Sequence, residues 1–290
     1  MMVASSVLFT TFSRPILQYP FAPDRTSASR RASIMDSFIQ YLLDRSRLEV
    51  SLIRITGATE DSCVITVECR LTKTGPISST MSSMAIELTF NGFCFAKMRL
   101  PEVKTSIWGT QVTVRDQRLE ILDKAIFKAY LRRVIVDDDT NFQLENGHCT
   151  VTALGVKAHC NYCLDLPIRG MMGPKASVAS LEREGEDITM VVAIENPSPV
   201  EIDHGMTLFE LRNGEGASMV ELRGNLQIVR GTSECTLRGK LMAGGKTPPS
   251  RARLVGVCAE GSSLCRETAS YFDVGLDMKP EFVDVFQREP

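Results

Sequence analysis

The chain has 290 residues, 43% apolar and 23% charged, with a formal net charge of -2. That length gives one or two domains, and either half can bury a core. The near-neutral balance removes any global pull toward nucleic acid, so no nucleic-acid partner is expected, although a local basic patch stays open.

Residues 1–34 are rich in Ser and Thr, carry Arg14, Arg25, Arg30 and Arg31, and hold one acid, Asp24. The composition fits a mitochondrial targeting segment or a disordered tail, and 1–35 is set apart on that basis. No run approaches the ~20 apolar residues of a membrane span. A short helix is predicted over 37–43.

From Leu48 the pattern turns to period two. Strands are predicted over 64–71, 84–90, 97–100, 111–114 and 119–121. Thr72–Pro76 breaks the first, and Asn91-Gly92 supplies a hairpin turn, since Asn and Gly tolerate positive φ. One helix interrupts the strands. Asp123 is its N-cap, and Ile126, Phe127, Tyr130, Leu131 and Val134 fall at helical spacing. Asp137-Asp138-Asp139 reads as a polar loop. Strands follow around a turn at Asn146-Gly147, then a linker over 167–174.

The second half has the sharper signal. Ile188, Met190, Val192 and Ile194 alternate with Thr189, Val191, Ala193 and Glu195. Asn196-Pro197-Ser198-Pro199 stops that strand, because each proline fixes φ and removes a donor. Asp203-His204-Gly205 is a predicted turn, and 206–211 a strand. Asn213-Gly214 turns again, and strands are predicted over 220–222, 226–229, 235–241, 253–258 and 269–276. Residues 279–290 read as a tail. The order of strands and turns repeats that of the first half. Two copies of one β-unit are therefore expected, with Ile65, Val67, Leu88, Phe90 and Phe127 in the first core and Val192, Ile194 and Leu208 in the second.

The strand ending in Asn196-Pro197-Ser198-Pro199 resembles the Asn-Pro signature of late-embryogenesis-abundant type 2 (water-stress/hypersensitive-response) β-sandwiches. The series MAIELTFNGFCFAKMRLPEV, the helix after Ile121, FQLENGHCTVTALG and ENPSPVEIDHG resembles a fungal domain-of-unknown-function family related to those sandwiches and to AsmA-like proteins. The resemblance covers 48–276. It implies tandem sandwiches beyond a membrane anchor, with vacuolar placement known in the family. No stretch here reads as that anchor, and Thr74-Gly75-Pro76 stands where the first copy should show Asn-Pro. The resemblance supplies no catalytic residues.

The chemistry-bearing residues are sparse. Cys160 and Cys163 form a C-x-x-C, but on a strand they point to opposite faces, and no second pair completes a zinc site. None of His148, His159 and His204 sits in a nucleophile pattern. The Gly-rich stretches are turns, and the Asp run lacks a calcium loop's other ligands. The nine cysteines lack disulfide-scaffold spacing, which points to a reducing compartment. A hairpin turning over 260–263 sets Cys258 opposite Cys265, as a disulfide or as two thiols.

The expected fold is mainly β: two tandem antiparallel sandwiches over 46–170 and 176–278, the first with one packed helix. The expected function is a non-enzymatic binding or structural module, lipid- or membrane-associated, with a lipid or protein partner. The alternative is a small enzyme or accessory factor of fungal secondary metabolism, working in a cavity of one sandwich. No catalytic, cofactor or metal residue is assigned. Asn196, Pro197, Pro199 and Trp108 are the candidate interaction residues. A cytoplasmic location is favoured over mitochondrial or vacuolar ones.

Overall fold

The structure is a computed structural model and describes residues 27–242 and 251–287. The first unit comprises α1 (Ser27–Asp44), β1 (Arg47–Thr56), β2 (Ser62–Thr72), β3 (Ser79–Met81), β4 (Met84–Phe90), β5 (Phe93–Leu100), β6 (Val103–Lys104), β7 (Thr110–Ile121), α2 (Lys124–Val136), β8 (Asp139–Ala153) and β9 (Val156–Arg169). The second comprises β10 (Lys175–Glu184), β11 (Asp187–Asn196), β12 (Val200–Arg212), β13 (Ser218–Ile228), β14 (Gly231–Leu241), β15 (Arg251–Ala259), α3 (Ser263–Ala269), β16 (Asp273–Asp277) and α4 (Pro280–Gln287).

Each unit is an antiparallel sandwich. The first pairs its strands in the order β1-β2-β7-β5-β4-β8-β9. The second follows the same seven-strand path, β10-β11-β14-β13-β12-β15-β16. In the first unit β5 meets β7 at only Ala96↔Ile121 and Lys97↔Glu120, and the sheet folds over there into two layers. The units are joined by a parallel pairing, Ile53↔Val200 to Ile55↔Ile202, between β1 and β12.

Alternation builds the core. Ile188, Met190, Val192 and Ile194 face inward from β11, and Ile65, Leu88 and Phe90 from the first unit. Asp123 caps α2, its side chain accepting from the Ile126 N–H at 3.0 Å. Phe127 and Tyr130 of that helix stack on Phe95, at ring separations of 5.6 and 5.5 Å. Asn91 and Gly92 both take positive φ, 52° and 80°, which a type I′ hairpin requires.

Several expectations are corrected. The predicted helix over 37–43 starts at Ser27; of the segment 1–35, the first 26 residues lie outside the described residues. Asn146 takes a positive φ of 56°, but its side chain donates to Glu87 and the residue sits in a bulge of a continuous β8. The hairpin turn falls at Leu154-Gly155 instead. Asp203-His204-Gly205 is also a bulge, inside β12. It sets the phase of that strand, burying Thr207, Phe209 and Leu211 and leaving Leu208, like Val67, only partly buried.

The linker over 167–174 is not free chain. Gly170, Met171, Met172 and Gly173 donate their N–H groups to Asp138, Val134, Asp137 and Ile135, satisfying carbonyls at and just past the α2 C-terminus. The hairpin expected over 260–263 is replaced by α3, whose N-cap Ser262 accepts from the Cys265 N–H at 3.2 Å. Cys258 and Cys265 are both free thiols. The strand expected over 269–276 is shorter, Asp273–Asp277. The expected tail over 279–290 holds α4, which buries Phe282 and Phe286, one helical turn apart, in the core. The strand expected over 253–258 begins earlier, at Arg251 of β15.

Candidate functional site

The corner 196–199 is an internal joint. Asn196 is 1% exposed; its amide donates to the Val200 carbonyl at 2.8 Å, and its side-chain oxygen accepts from the Ser198 N–H at 2.9 Å. The Ser198 hydroxyl donates to the Arg169 carbonyl at the end of β9, at 2.6 Å. The Pro199 carbonyl accepts from the Ile53 N–H of β1 at 2.8 Å. The second unit's corner therefore clamps the two outer strands of the first. Pro197 stays exposed, beside a hollow of about 260 Å³ that includes Lys175 and Glu195.

Further contacts hold the units together. Arg54 pairs with Glu201 at 2.7 Å, and Arg230 donates to the Ser51 carbonyl at 2.9 Å. Glu60 accepts from the Ser263 N–H at 2.6 Å and its hydroxyl at 2.5 Å; those bonds hold its carboxyl below the usual range.

Trp108 lies elsewhere. The corner meets β1 at Ile53, whereas Trp108 sits beside Arg70, whose neighbourhood pairs with the Arg47 end of β1. Six residues of strand, about 20 Å, separate the two ends. The structure does not bring Trp108 and the Asn196 corner into one site.

The histidines and cysteines form no reactive constellation. His148 Nδ1 contacts the Asn161 side chain at 2.8 Å, and His159 Nδ1 the Thr150 hydroxyl at 3.3 Å. Asp203 accepts from the Gly205 N–H rather than orienting His204. His204 is buried, neither ring nitrogen has a hydrogen-bond partner among the described residues, and burial pushes its imidazole down to about 4. Cys160 is buried and Cys163 exposed, on opposite faces of β9. Burial pushes the Cys160 thiol up to about 11 and the Cys63 and Cys69 thiols up to about 12, the direction of an unreactive thiol. No group of three metal-ligating side chains occurs among the described residues.

The feature that sequence reasoning did not locate is a cavity inside the first sandwich. It holds about 50 Å³ and is bounded on both layers by apolar side chains, including Leu48, Val50, Met98, Leu144 and Leu166. A void so lined stays dry. Tyr130 is its one hydroxyl-bearing neighbour, and that hydroxyl is buried without a partner among the described residues. Desolvation drives the Tyr130 pKa upward, so the group is a neutral phenol.

The cavity meets a gap in the backbone ladder. Among the described residues β1 and β9 share no pairing, although they flank the same interior. The corner closes one end of this seam. At the other, Gln40 of α1 exchanges two bonds with the Asn161 backbone, at 2.8 and 3.0 Å. Leu48 and Val50, both only partly buried, lie between. No sequence signal marks this gap, because β1 and β9 both read as ordinary alternating strands.

No family model matches the chain, and no curated protein matches it. Among solved structures, it is similar to red sea bream transglutaminase, at 16% identity and a TM-score of 0.25, over 79% of this chain and 30% of that one. It thus spans under a third of that enzyme's length. It is also similar to a bacterial adhesin from Mobiluncus mulieris containing intramolecular cross-links, at 10% identity and a TM-score of 0.20, over 73% and 80% of the two chains. No helix among the described residues is long and apolar enough to cross a membrane.

Proposed function

We propose that the protein is a non-enzymatic β-sandwich module whose first unit takes up an apolar, lipid-like ligand through the β1/β9 seam. The observation that carries this reading is the dry apolar cavity with one unpartnered phenol beside it. A catalytic pocket needs convergent polar groups, and the surface of this cavity is wholly apolar. About 50 Å³ accommodates a short alkyl segment. A longer chain requires Leu48 and Val50 to move apart from β9, and among the described residues no strand pairing between β1 and β9 opposes that. Kinship with the late-embryogenesis-abundant type 2 sandwiches, resting on the Asn-Pro strand, is part of the same proposal.

The test is uptake of cis-parinaric acid by detergent-free protein in vesicle-free buffer, read by its fluorescence. Saturable uptake at one molecule per chain, lost in Val50→Phe with an unchanged melting midpoint, supports the reading. No saturable uptake by the wild-type protein sinks it, as does equal uptake by the variant.

A further inference from the structure

The turn between β6 and β7 is heavily braced, yet it displays its largest side chains to solvent. The Ser106 hydroxyl donates to the Gly109 carbonyl at 2.8 Å, and the Thr110 hydroxyl to the Lys104 carbonyl at 2.9 Å. The Thr74 hydroxyl reaches the Ser106 carbonyl at 3.3 Å, and Arg70 donates to the Trp108 carbonyl at 2.8 Å. Gly109 has φ 89°, and an added Cβ there would meet the Leu71 carbonyl at 3.0 Å. On this fixed tip the Trp108 side chain is 81% exposed and Ile107 56%. A turn so fixed holds an indole outward without needing the indole to pack.

Ile107 also borders an open hollow of about 720 Å³ shared with the end of α1 and the start of β1. Tyr41, Arg45, Arg47 and Lys73 line it, all exposed, with Asp44 as the only acid in the lining. The Arg45 guanidinium lies 4.8 Å from the Tyr41 ring centre. Among the described residues none of the three cations has a carboxylate within ion-pair distance. The local balance of three cations to one acid stands out on a chain of net charge -2.

We propose that this end of the first sandwich docks on an anionic phospholipid bilayer. Trp108 and Ile107 enter the headgroup boundary, where an amphipathic indole is favoured. Arg45, Arg47 and Lys73 meet lipid phosphates, drawn by the negative surface potential of such a membrane. The polarity of the hollow fits headgroups and the turn fits acyl boundary, which commits the occupant to a lipid surface. This docking goes beyond the cavity reading and stands if that reading fails, since Trp108 does not line the cavity.

Trp108 is the sole tryptophan of the chain and therefore reports on its own surroundings. Full-length protein is mixed with vesicles of phosphatidylcholine alone, or of phosphatidylcholine with phosphatidylserine. Emission and co-sedimentation are read together. The expected result is a blue shift and sedimentation with the serine-containing vesicles only, both suppressed by high salt. Lys73→Ala is expected to weaken partitioning roughly fivefold. Ile107→Ser is expected to weaken it as well, while Val50→Phe leaves it unchanged. Absence of sedimentation with anionic vesicles overturns the proposal. So does sedimentation with no shift of Trp108 emission, or undiminished binding by Ile107→Ser and Lys73→Ala, since each assigns the contact to another part of the chain.

Discussion

His204 should make the fold acid-sensitive. It sits in the β12 bulge, buried, with both ring nitrogens unpartnered among the described residues. Its imidazole titrates near 6.5 in an unfolded chain and near 4 in the fold, because burial disfavours the charged ring. The folded pKa is the lower one, so between about 6.5 and 4 the unfolded state binds a proton that the native state refuses. Stability from this source is complete above 6.5 and is lost as pH falls toward 4. At 1.36 kcal/mol per unit the whole effect is roughly 3 kcal/mol, and about 2 kcal/mol of it should be gone at pH 5. The assay is urea unfolding followed by the far-ultraviolet β signal, at pH 7.5 and pH 5. His204→Leu is run beside the wild-type chain. It removes the titrating group and two unpartnered nitrogens, so it should equal or exceed wild-type stability at pH 5. The difference between the two pH values should shrink by about 2 kcal/mol in the variant. An equal drop in both proteins would show that His204 does not hold a buried neutral ring.

Asn196→Ala should destabilise by about 1–3 kcal/mol in urea melts, since it strands a buried carbonyl and a buried N–H; wild-type stability would contradict the joint. Phe127→Ala should cost about 3–5 kcal/mol, because the ring is fully buried against Phe95. A loss under about 1 kcal/mol would make α2 peripheral. Tyr130→Phe should leave the ligand-free melting midpoint unchanged or raised, since the hydroxyl it removes is unpartnered. A clear drop in that midpoint would mean that the hydroxyl is hydrogen-bonded in solution.

The sandwich class was legible because each inward face carries a period-two apolar set: Ile188 to Ile194 on β11 shows it without exception. The capped helix was legible for a similar reason, Asp123 and its apolar stripe being local signals. Asn146-Gly147 and Asp203-His204-Gly205 were misread because positive φ serves a bulge as well as a turn, and only the pairing partner decides which. The segment over 260–263 became a helix start because Ser262 can cap it, a competing use of the same turn residues. The candidate site was barely legible. Trp108 stood out as a lone indole, but the cations around the adjacent hollow, Arg45 and Arg47 on one side and Lys73 on the other, come from two separate stretches of the chain. The cavity has no signal at all, since it follows from a pairing that β1 and β9 do not make.

That missing pairing also explains why the two units are joined as they are. A strand edge with open N–H and C=O groups invites another chain to add to it. The edge of β1 away from β2 is such an edge, and the second unit occupies part of it. The run Ile53 to Ile55 is taken by β12 in parallel, and the Ser51 carbonyl is taken by the Arg230 side chain. Near the same point β1 shifts register against β2, between Val50 and Leu52, a bulge that turns the strand. Among the described residues, what stays unpaired on that edge is the short stretch holding Leu48 and Val50, whose side chains line the cavity. The second sandwich thus protects most of a vulnerable edge and leaves unpaired the part whose side chains line the cavity. Its corner must be rigid for that division to hold, which is why Asn196 and Ser198 spend their hydrogen bonds inside the protein.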